Sequence, residues 1–290
     1  NRVVHYTDDD KYQFGFKAGH STTLCAGIMK DTVNYYVSKG SHVFVCFVDF
    51  SKAFDKVNYW KLFNQLLDDG ISPVIVKLLS YWYCNQAAYV VWQNLRSISF
   101  GIGNGTKQGG VLSPYLFTRY IRQLLIAISS SGIGCYVGSL IINILLYADD
   151  IVLLAPSWFA LQDLLNTLAQ CCISLDLLCN AKKTVCMRFD PKIRTKIVAE
   201  YFPNFTLCGQ SLTYVSEFRY LGHIITNHLT DDKDIDREIR NLYVRTNILI
   251  RRFHRCSELV KVKLFKSYCI CLYGAGLWDN YSNVSLLKLK

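Results

Sequence analysis

Residues 144–155 read ILLYADDIVLLA, two short apolar runs on either side of a pair of aspartates. Runs of this length predict two buried strands joined as a hairpin. The pattern therefore predicts that Asp149 and Asp150 sit in a nearly dry position, where an unpaired carboxylate is costly. Adjacent carboxylates also raise each other's pKa unless a cation compensates. Two readings stay open: a tight Asp-Asp turn exposed at the hairpin tip, or a cation site.

A third aspartate follows another apolar run. Residues 43–50 read VFVCFVDF, whose β-branched and aromatic residues predict a buried strand with Asp49 near its end. Magnesium is usually bound by one or two carboxylates together with substrate phosphates. Paired metal ions can stabilise both the attacking and the leaving oxygen of an in-line phosphoryl displacement. Three aspartates beside apolar strands therefore suit nucleotidyl transfer.

Composition limits the kind of protein and the kind of partner. Of the 290 residues, 51% are hydrophobic, which is enough for one large core or for two to three subdomains. The net charge of +10 is typical of a partner covered in phosphates, although a generally basic protein would carry it too. The twelve cysteines lack zinc-site spacing, which favours free thiols. The longest apolar stretch, Leu140 to Leu154, is too short and too interrupted for a membrane span.

Helix signals alternate with strand signals along the chain. Serine followed by proline marks two helix starts, and apolar residues recur at helical spacing after each. The mixture predicts an α+β sheet layered on helices, with a subdomain boundary near residues 227–231 before a charged helical region. The predicted elements are a helix with Leu62, Phe63, Leu66 and Leu67 on one face that stops at Gly70, a helix from Ser72 to about Tyr83, a strand-like run AAYVVW, a long helix from Ser113 to Gly132, a helix from Leu161 to Leu178 and a strand VCMRF.

Several short motifs occur in a fixed order, and as a set they resemble the reverse transcriptases of non-LTR (LINE-type) retrotransposons. The resemblance runs from about Gln13 to Tyr273. It implies a right-hand polymerase fold with a ferredoxin-like palm sheet backed by helices. Residues 1–40 would be a remnant of the fingers, 41–226 the palm with interleaved fingers elements, and 227–290 an incomplete helical thumb. The motifs are QFGFKAGHSTT, FVDFSKAFDKVN, GTKQGGVLSP, LLYADDIVLL, NAKKT and FRYLGHIIT.

The resemblance implies a metal site and a sugar gate. Asp49 and Asp149 match the principal ligands of two Mg²⁺ ions, for which Mn²⁺ can substitute, and Asp150 matches their partner. Phe54, five residues after Asp49, matches an aromatic residue that packs under the sugar of the incoming nucleotide. A ring there would clash with a 2′-hydroxyl and so select deoxynucleotides. The alternative for Phe54 is an ordinary core phenylalanine.

Further residues match positions that contact the nucleotide. Gln108 and Gly109 match the family's Q-G turn, where small residues let the backbone approach nucleotide and template. Phe50 belongs to the same nucleotide-binding set. Lys183 matches a lysine that faces the triphosphate, where a cation can stabilise the leaving pyrophosphate. An ordinary loop and a surface lysine are the alternatives at these positions.

The nucleic-acid contacts are implied in the same way. Tyr220, Leu221 and Gly222 match the primer-grip hairpin, which positions the DNA 3′-end. Arg251, Arg252 and Arg255, near His254, would lie on the thumb and contact backbone phosphates, and a solvated charged helix is the alternative.

The function implied is RNA-directed DNA polymerisation on an RNA template, with a DNA primer and deoxynucleoside triphosphates, in cytoplasm and nucleus. A catalytically silent nucleic-acid-binding remnant and a group II intron maturase are the alternatives. YADD in place of GDD argues against an RNA-dependent RNA polymerase. The chain begins with Asn1 rather than Met, and the motifs begin at Gln13. We therefore expect a piece of a longer protein that binds primed RNA but extends it poorly.

Overall fold

The computed structural model describes residues 11–192 and 201–289. Helices and strands alternate through these ranges, as the sequence predicts for an α+β fold. The helices are α1 (Thr22–Ser38), α2 (Tyr59–Asp68), α3 (Pro73–Cys84), α4 (Ser113–Tyr120), α5 (Arg122–Ser129), α6 (Trp158–Ser174), α7 (Asp232–Arg252), α8 (Glu258–Leu264) and α9 (Asn283–Leu289).

Most of the strands are short and pair as hairpins. Five of them form the central sheet described below. The strands are β1 (Val43–Val48), β2 (Ala87–Ala88), β3 (Val91–Trp92), β4 (Leu95–Arg96), β5 (Phe100–Gly101), β6 (Cys135–Val137), β7 (Leu140–Ile142), β8 (Ile144–Tyr147), β9 (Asp150–Ala155), β10 (Val185–Phe189), β11 (Thr206–Leu207), β12 (Gln210–Ser211), β13 (Thr213–Tyr214), β14 (Glu217–Tyr220) and β15 (His223–Thr226).

The central sheet has the strand order β13-β10-β1-β9-β8. Its pairs are antiparallel except for β10 with β13. The chain passes from β1 to β8 through helices α2 to α5, and from β9 to β10 through α6. The four strands β10-β1-β9-β8 therefore have the order and the helical connections of the ferredoxin-like sheet that was predicted.

Both faces of β1 are covered, which explains why the whole strand is apolar and buried. On one face Phe44 contacts Phe205, whose ring stacks on Trp158 of α6. On the other face Phe47 contacts Tyr220, whose hydroxyl lies 3.2 Å from a thiol of α1. The core thus continues on both sides of the sheet.

The segment before α1 adds to the edge of the sheet. The amide of Phe14 donates to the carbonyl of Leu146 at 2.8 Å, and the amide of Leu146 donates to the carbonyl of Tyr12 at 2.9 Å. Helix α1 then packs against β1 and β8. Residues 11–40 are therefore attached to the sheet, and their assignment to the fingers stays a prediction. The first ten residues of that assignment lie outside the described ranges.

Two helices differ from their predicted extents. The long helix expected from Ser113 to Gly132 is two helices, which divide at Ile121, where ψ is 0° instead of the helical value of about −42°. Helix α6 begins at Trp158, where the side chain of Ser157 caps it, and ends at Ser174 instead of Leu178. The left-handed Asp176 turns the chain there (φ 54°).

One predicted core position was wrong. Leu62, Phe63 and Leu66 are buried on the inner face of α2, as expected, but Leu67 is 43% exposed. Position 67 lies at the edge of the apolar stripe of α2, outside the face that packs on the core.

The polar residue that interrupts the apolar run before β8 is a buried crosslink. Asn143 is fully buried, and its Nδ2 donates to the carbonyls of Ile128 at 2.6 Å and Ile133 at 2.7 Å. Its own carbonyl accepts from Leu154 at 3.0 Å. One side chain therefore ties the end of α5 to the sheet.

Replacing Asn143 with leucine should destabilise the protein by about 2–4 kcal/mol, because two buried carbonyls lose their donor. Urea unfolding measures the change. Asn166→Leu is the matched control, since Asn166 is exposed on α6, and its effect should stay within about 0.5 kcal/mol. Equal unfolding midpoints for the two variants would contradict the crosslink.

Candidate active site

The aspartate pair lies at the tip of the β8–β9 hairpin. Tyr147 pairs with Asp150, and Ala148 turns the chain with φ 61°. Asp149 is half-buried and Asp150 is exposed, so the prediction of a nearly dry position was wrong. The reason is that the turn extends beyond the packed part of the strand pair. The two carboxylates therefore lie outside the core, while the strands are buried in it.

Asp49 lies beside this tip because of strand pairing. Val48, the last residue of β1, is opposite Ile151 of β9. The amide of Asp49 donates to Thr184 Oγ1 at 3.1 Å, and its carbonyl accepts from the amide of Asn180 at 2.8 Å. Backbone contacts on both sides therefore hold Asp49 next to the hairpin tip.

The three carboxylates repel one another. Loss of hydration in the cleft, and then the charges of Asp149 and Asp49, raise the pKa of Asp150 to about 6. Loss of hydration also raises the pKa of Asp149; its own backbone amide opposes this rise, and the charge of Asp49 adds to it. Each carboxylate is thus within electrostatic reach of the others, and a cation between them would relieve the repulsion.

A cleft of about 290 Å³ brings several predicted residues together. Asp49, Asp150 and Lys183 line it, together with Phe218 and Tyr220 of β14. Asp149 is adjacent but does not line the cleft. One cation and two carboxylates therefore share a concave site with the hairpin that was predicted to position a primer.

The donor set suits a metal ion that completes its coordination from a substrate. Within residues 11–192 and 201–289, no three His, Cys, Asp or Glu side chains converge closely enough to hold a metal ion unaided. Magnesium commonly takes only one or two carboxylates and completes its shell with water and phosphate oxygens. Asp49 and Asp149, with their mutual repulsion, fit that kind of site.

Phe54 is half core and half surface. Its ring stacks on Phe117 with the centroids 4.1 Å apart, and its carbonyl accepts from the amide of Thr106 at 2.8 Å. Gly105 lies so close to Asp55 that an added Cβ would be 2.9 Å from its Cα. The glycine-rich loop is thus docked on the turn that carries Phe54.

The other predicted nucleotide contacts lie apart from the acidic cleft. Gln108 and Gly109 are exposed, and Gln108 Nε2 is 3.4 Å from Asp55 Oδ1. Gln108 lines a second cleft of about 780 Å³ with Trp82. Phe50 is buried and pairs with Cys179 through its backbone. The structure therefore offers little of the Phe50 side chain to a ligand.

The β14–β15 hairpin is fastened to β1. Phe218 and Tyr220 contact Phe47, with ring centroids 4.5 and 5.3 Å apart. Leu221 and Gly222 turn the chain with φ 46° and 88°. Two successive positive φ angles are what a tight two-residue hairpin requires.

A family described as "Reverse transcriptase (RNA-dependent DNA polymerase)" matches residues 1–225. The chain belongs to the reverse transcriptase family. That membership confirms the resemblance on which the motifs agreed, and it makes the chain an enzyme by family. Reverse transcriptases generally use divalent metal ions, in keeping with the carboxylates at the hairpin tip.

Curated relatives of this reverse transcriptase belong to non-LTR elements. The RNA-directed DNA polymerase from mobile element jockey of Drosophila funebris is 26% identical over 97% of the chain and 31% of its own length. The retrovirus-related Pol polyprotein from type-2 retrotransposable element R2DM of Drosophila melanogaster is 31% identical over 62% of the chain and 17% of its own length. The chain thus spans about a third or less of these proteins.

Solved telomerase structures share the fold of this reverse transcriptase. The apo telomerase of Candida Tropicalis has a TM-score of 0.54 at 10% identity, covering 80% of the chain and 39% of the telomerase. A form truncated from its C-terminal domain has a TM-score of 0.52 at 11% identity, covering 75% and 40%. At such identities the likeness concerns the fold alone, and it confirms the predicted α+β polymerase fold.

Tyr273 is a residue that sequence reasoning did not single out. Its hydroxyl donates to the carbonyl of Leu221 at 3.2 Å and lies 2.5 Å from Thr22 Oγ1, while its ring stacks on His223. These contacts join the hairpin turn to the start of α1. No periodic pattern in the sequence predicts these contacts, because the partners are about fifty residues or more apart.

Asp234 of α7 supports the hairpin from below. It accepts from the amide of Ile224 at 2.8 Å, from Arg237 Nε at 2.7 Å and from Trp278 Nε1 at 2.9 Å. Burial alone would raise the pKa of Asp234, but the imidazole of His223 3.6 Å away and the donors Arg237 and Trp278 hold it well below its usual range. The carboxylate charge of Asp234 therefore contributes to the stability of the folded protein.

The predicted thumb arginines stand apart from the cleft. Arg251 and Arg252 end α7, Arg255 follows, and all three are exposed. None of them lines the acidic cleft.

Among the described helices, none is long and apolar enough to cross a membrane.

Gly222→Ala should destabilise the hairpin beyond the cost of a left-handed alanine, because its Cβ would lie 2.9 Å from the ring of Tyr273. Gly209→Ala is the matched control: it occupies the same place in the β11–β12 turn with φ 74°, and nothing lies within 4 Å of the added Cβ. We expect a loss of about 1 kcal/mol for the control and a further loss of about 1–3 kcal/mol for Gly222→Ala. Thermal unfolding compares them, and identical losses would show that Tyr273 does not press on the turn.

Proposed function

We propose that the chain is the catalytic palm of an RNA-directed DNA polymerase from a non-LTR retrotransposon. It adds deoxynucleotides to a primer 3′-end by two-metal nucleotidyl transfer. One observation carries the proposal: Asp49, Asp150 and Lys183 line the same cleft as Phe218 and Tyr220 of the β14–β15 hairpin. Metal-binding, phosphate-binding and primer-positioning groups thus face one space of a reverse transcriptase fold.

Two magnesium ions are the proposed cofactors, with manganese as a substitute. Asp49 and Asp149 would hold them, and Asp150 would be their partner. The pKa of Asp150, raised first by loss of hydration and then by the charges of Asp149 and Asp49, supports this assignment. When bound, such ions stabilise the charge on the attacking and leaving oxygens of the displacement.

The proposed nucleotide contacts come from Lys183 in the cleft and from residues of neighbouring segments. Lys183 lines the cleft and would face the triphosphate, where its charge would stabilise the leaving pyrophosphate. The exposed part of the Phe54 ring, held by Phe117, would form the sugar gate. Gln108 and Gly109 would contact nucleotide and template from the neighbouring loop, and Phe50 would contribute by anchoring the backbone.

The primer and the template are proposed to lie along the hairpin and the helical region after it. Tyr220, Leu221 and Gly222 would position the primer 3′-end. Arg251, Arg252 and Arg255 are exposed, so they are free to contact backbone phosphates of a template–primer duplex. Such contacts read backbone and groove shape rather than sequence. The RNA template, the DNA primer and the deoxynucleotides are the partners of this reaction.

The division of labour proposed for the chain has three parts. Residues 1–40 are a remnant of the fingers, residues 41–226 the palm with interleaved fingers elements, and residues 227–290 a helical thumb. Helix α7 begins at Asp232, close to the second boundary. A polymerase of this kind would work in cytoplasm and nucleus.

Asp149→Asn should lower single-nucleotide extension on primed RNA by on the order of a thousandfold, as expected when a contact to the reacting charge is lost. Duplex binding should remain, because it comes mainly from phosphate contacts. Extension is measured at high enzyme concentration, where a weak activity is still resolved. Asp163→Asn, on an exposed position of α6, is the control and should extend normally. Unchanged extension by Asp149→Asn would overturn the site, whereas binding without extension by a version restored to full length would identify a silent remnant.

Phe54→Val should open space for a 2′-hydroxyl and raise the ratio of ribonucleotide to deoxynucleotide kcat/KM by about tenfold or more. Phe63→Val is the control, since Phe63 is equally aromatic but buried beside Tyr83. It removes the same volume at a residue that lines neither cleft and should leave the ratio unchanged. An unchanged ratio in Phe54→Val would mean that Phe54 is only a core residue.

A further inference from the structure

Two cysteine thiols lie in contact beside the segment that follows β1 and carries Asp49. Cys172, in the last turn of α6, and Cys179 have their sulfur atoms 3.3 Å apart. Cys172 is buried and Cys179 is partly exposed. The amide of Leu177 donates to the carbonyl of Cys172 at 2.9 Å, so the backbone wraps tightly around the pair.

The segment that holds Cys179 also holds Asp49. The amide of Ser51 donates to the carbonyl of Leu178 at 2.8 Å, and the amide of Asn180 donates to the carbonyl of Asp49 at 2.8 Å. Between these two bonds, Phe50 is paired with Cys179. A change at the thiol pair therefore acts on the residue next to Asp49 through the backbone alone.

We propose that Cys172 and Cys179 form an oxidisable dithiol site whose substrate is a hydroperoxide. The Cys179 thiolate attacks one peroxide oxygen and becomes a sulfenic acid, and the other oxygen leaves as hydroxide, which takes a proton to give water. The Cys172 sulfur then attacks the sulfenic sulfur, forming the disulfide and releasing a second water. Two thiols and one hydrogen peroxide thus give one disulfide and two waters.

The surroundings favour this pair over the other thiols. The hydrogen bond between the two sulfurs raises the pKa of Cys172 and lowers that of Cys179. Burial opposes the lowering at Cys179, and a hydrogen bond with Cys208 adds to it, so Cys179 is the attacking thiolate. Cys46 and Cys186 are also neighbours, directly opposite in β1 and β10, but both are buried and closed to peroxide. No described group of thiols, imidazoles or carboxylates here could hold a metal ion instead.

Oxidation should strain the backbone beside Asp49. A disulfide needs its sulfurs about 2.0 Å apart, so the two must approach from 3.3 Å. Cys172 is part of helix α6, whereas Cys179 lies in a loop. Cys179 is therefore expected to move, and the hydrogen bonds of Ser51 and Asn180 to loosen.

The test maps the crosslink in the intact chain after treatment with hydrogen peroxide. Cleavage before aspartate separates residues 163–175, which hold Cys171 and Cys172, from residues 176–189, which hold Cys179 and Cys186. Mass spectrometry of the unreduced digest should show these two fragments joined. The joined species should persist in Cys171→Ala and Cys186→Ala and disappear in Cys172→Ala and Cys179→Ala.

A second measurement tests the effect on the strand. Amide hydrogen exchange at Ser51 and Asn180 should speed up severalfold on oxidation, return to its starting rate with dithiothreitol, and stay constant in Cys172→Ala. Absence of the joined fragments, or attachment of Cys179 to Cys208 of the β11–β12 turn instead, would overturn the pair. Crosslinking with unchanged exchange would overturn its coupling to Asp49. Neither readout depends on polymerase activity, so failure here is distinct from failure of the proposed function.

Discussion

The antiparallel pairing of β1 with β9 holds together charges that would otherwise separate. Loss of hydration in the cleft, and then repulsion from Asp149 and Asp49, raise the pKa of Asp150 to about 6. The opposing force is the burial of two complete strands, since β1 is covered on both faces and β9 is apolar after its first residue. The repulsion at this charged edge thus offsets part of the stability gained by burying the strands, as is common at functional sites. β1 can hold the acidic tip in place because all of its residues are apolar and buried.

Long-range contacts position the β14–β15 hairpin, which lines the cleft beside that tip. Lys30 of α1 is buried and binds Asp231 at 2.9 Å and the carbonyl of Leu277 at 2.5 Å. Tyr273 and Asp234 then connect the same C-terminal region to the turn of the β14–β15 hairpin. The hairpin is therefore held from β1, from α1 and from α7 at once. Its position relative to the acidic edge is set by long-range contacts rather than by its own strands.

The elements closest to the acids could be predicted from sequence, because short apolar runs and turn residues are local signals. Strand β1, the β8–β9 hairpin and the order of the sheet came from such signals and from the motif resemblance. Whether Asp150 is exposed at the tip could not be decided from sequence, since an apolar run does not tell where the strand pairing stops. The break at Ile121 has no proline or glycine to mark it, and it falls where Arg119 and Arg122 pair with Asp69. The contacts of Tyr273 and Asp234 join residues far apart in the chain, which no periodicity records.

The segment before α1 sets a limit on how far the polypeptide can be shortened. Gln13 Oε1 accepts from the amide of Gly15 at 2.8 Å and from the amide of Ala148 at 3.3 Å. An added Cβ at Gly15 would lie 2.5 Å from that same Ala148 nitrogen. The turn that carries the aspartate pair is thus backed by a separate peptide rather than by its own hairpin. An engineer who trimmed the chain to its sheet and helices would leave the turn with an open edge, ready to pair with a strand of another molecule.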